Sequence, residues 1–189
     1  MERRSDVLDF LLTRRSRPAK TLGARAPDRN ELRILLTAAS RTPDHGKLVP
    51  WRFVVLQDQS VRDEIATGAR KRMSELQLPA DKIEKNATAF SYGGVIVAVI
   101  ASPKPSDKIP RWEQELAAGG VCLALLNATL ASGWGANWLT GPLCRDQAFL
   151  DEFGCSKAEF IAGFIHIGDE QVVPADRDRP DLQAIVIWR

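Results

Sequence analysis

The side chains able to do chemistry are few in this chain of 189 residues, and most of the usual arrangements of them are missing. There are two histidines, His45 and His166, and three cysteines, Cys122, Cys144 and Cys155. An odd thiol count with no C-x-x-C pair speaks against a disulfide framework and a structural zinc site, and the thiols read as buried and inert. No G-x-S-x-G occurs, and the cysteines lie in apolar or helical surroundings, which disfavours a hydrolase built on nucleophile and base. Gly133-Trp134-Gly135 opens no helix and lacks a third glycine, and no G-x-x-x-x-G-K-[ST] is present. Neither a dinucleotide fingerprint nor a P-loop is therefore expected. His166 lies in the alternating run Phe164-Ile165-His166-Ile167 and reads as a satisfied strand histidine. His45 stands beside Asp44 and Lys47 in a polar loop, the kind of segment that meets ligands.

What remains is a reaction carried by a cofactor, which asks the protein only for phosphate anchors, an apolar slot for a ring and well-aimed backbone donors. Arg14, Arg15 and Ser16 offer two guanidinium forks and a hydroxyl, groups that suit a phosphate monoester. The competing reading is an exposed helix end whose cations face the C-terminal dipole. Trp138, Leu139, Thr140 and Gly141 offer aromatic and apolar surface followed by a turn; here the competitor is a plain core strand.

These residues need elements to hold them. A net charge of +2 and 44% apolar side chains describe one soluble domain spanning residues 1–189. The longest clean apolar run, 95–101, is far short of a membrane helix, and the start leads into no signal-like stretch, so a cytoplasmic chain is expected. Residues 1–41 hold ten Arg or Lys against five acids. These cations interleave with an apolar helical pattern and lack stacking aromatics, which favours a phosphate-bearing small ligand over nucleic acid.

Ser5 is a candidate cap for a short helix with Val7, Phe10 and Leu11 on one face, placing Arg14 at its end. Asp28 and Glu31 form a candidate capping box ahead of Leu32, Leu35, Leu36 and Ala39. The breaker-rich loop 41–47 feeds a strand at 51–56. Residues 60–90 predict two helical pieces broken at Pro79, a solvated cover without a chemical motif. Continuous apolar residues at 94–101 predict a strand buried on both faces. Residues 111–131 predict one long helix, with Leu116, Leu123, Leu126 and Leu130 marking a face, buried in the fold or at a subunit interface. Strands are expected at 133–141, 160–167 and 184–188, with a helix near 146–153 closed by Gly154. The order is that of an α+β fold around one sheet.

Taken together, Arg14-Arg15-Ser16, Arg41-x-Pro43-Asp44-His45-x4-Pro50-Trp51-x-Phe53, Pro110-Arg111-Trp112-Glu113-Gln114-Glu115 and Gly133-x-Gly135-x-x-Trp138-x-Thr140-Gly141 resemble the nitroreductase family of flavin enzymes, within it the compact YdjA-like branch. The resemblance spans residues 8–168. It implies an FMN-binding α+β homodimer, with a mixed or antiparallel sheet and two flavin sites shared between chains. Carried over, Arg14, Arg15 and Ser16 would hold the phosphate and ribityl or ring edge, and Trp138, Leu139 and Thr140 would line the ring. Arg41 and His45 would reach across from the partner. Arg177 and Arg179 resemble a basic residue on the phosphate, with Arg179 the one carried forward, and 184–188 would pair with the partner's sheet. Hydride would pass from NAD(P)H to FMN and on, in ping-pong fashion, to a nitroaromatic, quinone or similar small-molecule acceptor. No obligatory catalytic side chain, metal, nucleic acid or membrane is implied. Trp112 is a candidate for stacking on substrate, and 128–133 for nicotinamide contact.

The chain departs from the family pattern in three places. Arg17-Pro18 follows the Arg-Arg-Ser where relatives carry a further Arg, Lys47 and Val49 stand where relatives often show Asn and Gln, and Leu139 stands where the branch can show Arg. A flavin carrier without turnover is the competing function on the same scaffold. A nucleic-acid binder with a basic arm ranks behind both.

Overall fold

The computed structural model describes residues 2–189. Its centre is a four-stranded sheet of β1 (Trp51–Leu56), β2 (Val95–Ala101), β3 (Gly135–Leu139) and β4 (Phe160–Gly168), in the order β1-β2-β4-β3. Every pairing is antiparallel, which settles the mixed-or-antiparallel alternative. All seven residues of β2 are buried, as its unbroken apolar run requires of a strand covered on both faces.

Alternation along the strands divides the core in two. Val95, Val97 and Val99 join Trp51, Ile165 and Ile167 under α2 (Arg29–Ala39) and α5 (Arg111–Ala131). Ile96, Ala98 and Ile100 join Leu56, Ile161 and Phe164 under α3 (Gln59–Glu75), α4 (Ala80–Thr88) and α6 (Gln147–Leu150). The expected capping box is present: Asp28 Oδ1 accepts from the Asn30 and Glu31 N–H groups at 2.7 and 2.9 Å, while the Asp28 N–H donates to Glu31 Oε2 at 2.9 Å. Gly154, at φ 60°, ends the turn that follows α6, a left-handed position that suits glycine.

Two sequence expectations change, and a third, for α5, is narrowed. Ser5 is already helical in α1 (Ser5–Thr13), whose cap position is Arg4 with no side-chain capping bond. Residues 184–188 form no strand: Leu182–Ile185 is a single helical turn, α7, and Ile187 and Trp188 stand exposed. A strand exists only as part of a ladder, and among the described residues this run has none. In α5 the buried arc is Gln114, Ala118, Val121, Cys122, Leu125, Leu126 and Thr129, whereas Leu116 and Leu123 point outward. α5 is long and apolar enough to cross a bilayer by length and composition alone, yet it lies along β2, β3 and β4. No residue of α1 is buried, and its Val7, Leu8, Leu11 and Leu12 face out.

Candidate functional site

Arg14 closes α1: its N–H donates to Phe10 O at 2.8 Å while its backbone turns extended. The next residues are clipped to β3. The Arg17 N–H donates to Ala136 O at 2.8 Å, and Asn137 Nδ2 donates to Arg17 O at 2.6 Å. Arg15 Nε donates to Ala175 O at 3.3 Å, tying the segment to the C-terminal tail. The result is a groove of about 610 Å³ walled by Arg14, Arg15, Arg17, Trp134, Glu170 and Asp176. Glu170 pairs with Arg17, and Asp176 with Arg179 at 2.8 Å. Arg14 and Arg15 make no ion pair among the described residues, although the charge of Arg15 helps to lower the pKa of Asp176 in the same groove. Ser16 is half-buried beside them, and Arg179 reaches the rim only through Asp176. Leu130 and Gly133, from the segment proposed for nicotinamide, line the same groove.

His45 lies in a second groove, of about 530 Å³, against the outer face of α5. Its Nδ1 is 2.9 Å from Glu113 Oε2, in the first turn of that helix. Gly120 lets the loop approach, since a Cβ there would come 3.0 Å from Thr42 Cγ2. The loop is bent through left-handed backbone at Gly46, Lys47 and Val49, and the Val49 N–H donates to Asp44 Oδ2 at 2.9 Å. Arg41 is exposed at the end of α2, and Trp112 is exposed at the start of α5.

A third cavity, of about 360 Å³, lies on the other side of the sheet and takes in Leu139, Thr140 and Gly141. Trp138 does not join them, because successive strand residues face opposite ways. Its indole lies over Gly163, where a Cβ would collide with it, and Nε1 donates to Ala162 O at 3.4 Å beside the bulge in β4. The cavity also draws in Lys82, Lys85 and Asn86 from α4, so this helix is more than the solvated cover its sequence predicts. Two lysines three apart on one helical face were the available signal.

His166 borders this cavity, 2% exposed, and Nδ1–H makes a long bond of 3.4 Å to Tyr92 O. Burial pushes its pKa down to about 4, so the ring is neutral, as expected of a strand histidine. Burial likewise raises Cys122 to about 12, and raises Cys144 and Cys155, keeping the thiols protonated. No group of three or more potential metal ligands occurs among the described residues. Within one chain, then, Arg14 and Arg15, His45, and Leu139 with Thr140 line three separate openings.

The protein "Putative NAD(P)H nitroreductase YdjA" of Escherichia coli (strain K12) is 32% identical to this chain over 167 residues, 88% of this chain and 90% of that one. Among solved structures, a nitroreductase-like family protein from Bacillus cereus superposes with a TM-score of 0.82 at 18% identity, covering 100% of this chain and 98% of its own. A nitroreductase with bound FMN from Bacteroides fragilis gives 0.75 at 16% identity, covering 97% and 99%. At those identities the likeness is one of fold. The sequence profile described as "Nitroreductase family" matches residues 11–169. With that span and the relative at 32% identity, the chain belongs to the nitroreductase family, an oxidoreductase family.

Proposed function

We propose that the protein is an FMN-dependent oxidoreductase that takes hydride from NAD(P)H and passes the electrons to nitroaromatic, quinone or similar conjugated acceptors. The observation that carries this reading is the pair Arg14 and Arg15, two half-buried cations that make no ion pair among the described residues and wall a groove large enough for a phosphate-bearing ligand. Charge-assisted bonds from guanidinium forks are the strong way to hold a phosphate monoester, and the donor set therefore fits FMN. The kinship to proteins named for NAD(P)H and to a fold neighbour with bound FMN supports it.

Bound FMN would supply two-electron hydride chemistry between NAD(P)H and a second substrate, the basis for ping-pong kinetics. The chain's own part is grip and orientation. Arg14 and Arg15, with Ser16, anchor the phosphate and its ribityl arm, and Arg179, paired to Asp176 at the rim, is a further candidate cation. Leu139 and Thr140, at the end of β3, supply the edge against which the ring is held, while Trp138, on the other face of that strand, packs over Gly163. Because the openings are separate within one chain, Arg41 and His45 serve the site of a second copy. The homodimer covers the outward apolar residues of α1 and α5, which water would otherwise meet.

The test is an absorption spectrum of protein supplemented with FMN and desalted, followed anaerobically on adding NADH and then NADPH. Flavin bands that bleach support the oxidoreductase and show the preferred donor. Bound flavin that stays oxidised with both donors points to a carrier, and absence of bound flavin overturns the reading.

A further inference from the structure

The run Pro110-Arg111-Trp112-Glu113-Gln114-Glu115 opens α5, and its side chains hold other segments in place. Gln114 is 4% exposed: its Oε1 accepts the Lys104 N–H at 2.7 Å, and its Nε2 donates to Lys104 O at 3.0 Å and to Ile109 O at 3.3 Å. These bonds close residues 104–109 into a fixed loop. Ile109, at its end, packs under the loop of His45, where a Cβ on Gly46 would collide with Ile109 Cδ1. Arg111 Nε donates to Glu115 Oε1 at 2.6 Å and its Nη2 to Ala158 O at 2.9 Å, which ties the same helical turn to the segment leading into β4. Glu113 stands on this braced turn. With its side chain 31% exposed against 64% for His45, the carboxylate is the fixed member of the pair and the imidazole the held one. Glu113 makes no other ion pair among the described residues, and the loop's own acid, Asp44, is engaged by the Val49 N–H.

An ionised carboxylate can only accept hydrogen bonds, so His45 Nδ1, 2.9 Å from Glu113 Oε2, carries a proton in this pair whether the ring is neutral or charged. In a histidine the bond made by one ring nitrogen decides what the other can do. We propose that Glu113 is a positioning residue: it fixes the His45 proton on Nδ1 and the angle of the ring, leaving Nε2 as the nitrogen available to the flavin of the second copy. The inference rests on the oxidoreductase reading, in which His45 serves a flavin across the homodimer. Glu113 itself touches no ligand. Its effect on the flavin passes through the imidazole alone, which is what separates it from a residue that merely supports the loop.

The experiment has a spectroscopic arm and a binding arm. The chain has two histidines, so nitrogen NMR of flavin-free protein labelled at histidine is simple to assign, with His45→Ala identifying the signals of His45. At mildly alkaline pH the expected result is a proton on Nδ1 of His45 in wild type. In Glu113→Gln that preference should give way to the mixture of tautomers of an unrestrained imidazole. The binding arm is a double-mutant cycle on the Kd for FMN, read by quenching of flavin fluorescence. Glu113→Gln should weaken FMN about twofold to fivefold while His45 is present, the range for an exposed charged pair, and should change nothing once His45 is alanine. Additive losses in the cycle would overturn the proposal, as would unchanged FMN affinity in Glu113→Gln or a wild-type ring protonated on Nε2 alone. An Nδ1 proton released by Glu113→Gln, in a wild-type protein that binds no FMN, would strike the oxidoreductase reading instead.

Discussion

On the side of the sheet covered by α3, α4 and α6, the helices close over the strands around one cavity; on the side covered by α2 and α5, the cover stops short. The first side stacks Phe90, Phe149, Phe153 and Phe164 with ring centroids 5.2 to 6.2 Å apart. Ion pairs pin its margins, Arg72 to Asp146 and Arg52 to Glu159, each at 2.9 Å. The second side buries an equally apolar layer against the strands but then presents Leu116, Leu123 and the whole stripe of α1 to the outside. The same hydrophobic driving force acts on both, so the difference locates the face that the proposed homodimer would cover.

The sharpest way to break this comparison is to remove an apolar side chain from each side. Phe153 is 4% exposed and touches Phe149 and Phe164, so Phe153→Ala should cost about 3–5 kcal/mol in urea unfolding. Leu123 is 42% exposed, and Leu123→Ser should leave the monomer's own stability within about 0.5 kcal/mol while weakening association, read by light scattering against concentration. Equal losses in the two variants, with unchanged mass, would mean that the outer face of α5 is not an interface.

Next in size is the pH response of the closed side. The pKa of His166 is about 4, below the ordinary 6.5, so between those values the unfolded chain takes a proton that the folded chain refuses. Stability from this residue is whole above about pH 6.5 and drains as pH falls toward 4, by ~2–3 kcal/mol. Carboxylates titrate in the lower part of the same window, so the quantity to read is the difference between wild type and His166→Gln. That difference should slope between pH 6.5 and 4; a flat one would mean that the ring is not held neutral by burial.

The closed side was also the more legible one in the sequence. The break at Pro79, the turn at Gly154 and the doubly buried β2 each follow from a local rule, because the residue type alone restricts the backbone or demands cover. The open side was read less well, for a physical reason. α5 is apolar nearly all round, so spacing leaves open whether Leu116 and Leu123 face the sheet or a subunit interface, and in the structure they point away from the sheet. Residues 184–188 have strand propensity, but pairing is a property of the neighbour, and among the described residues of this chain none is present. At the site, Arg14, Arg15 and His45 stood out by type and motif. Lys82 and Lys85 did not, since only the fold carries α4 to the turn after β3.

The proposed sharing of sites gives the third prediction. Arg14→Ala should weaken FMN binding by about 2 kcal/mol, roughly thirtyfold in Kd, as expected for losing a charge-assisted bond. A heterodimer of one Arg14→Ala chain and one His45→Ala chain should keep one of its two sites intact, because both lesions fall on the other. Flavin titration of the tagged heterodimer should then show a half-stoichiometry of tight binding; uniform damage at both sites would argue that each chain holds its own flavin.

The smallest effect is expected in the loop that carries His45. Val49 has φ 49°, a left-handed conformation that a β-branched side chain resists, yet its N–H is held by Asp44 Oδ2 at 2.9 Å and its side chain is 51% exposed. Little packing is therefore lost on replacing it, and asparagine tolerates this backbone region. Val49→Asn should raise stability by about 0.5–1 kcal/mol in urea unfolding, the strain relieved at one residue. If the strain serves to hold His45 against Glu113 at the edge of the open side, relief should come with weaker flavin binding in the dimer. Gained stability with unchanged flavin affinity would assign the bend at Val49 to the path of the chain alone.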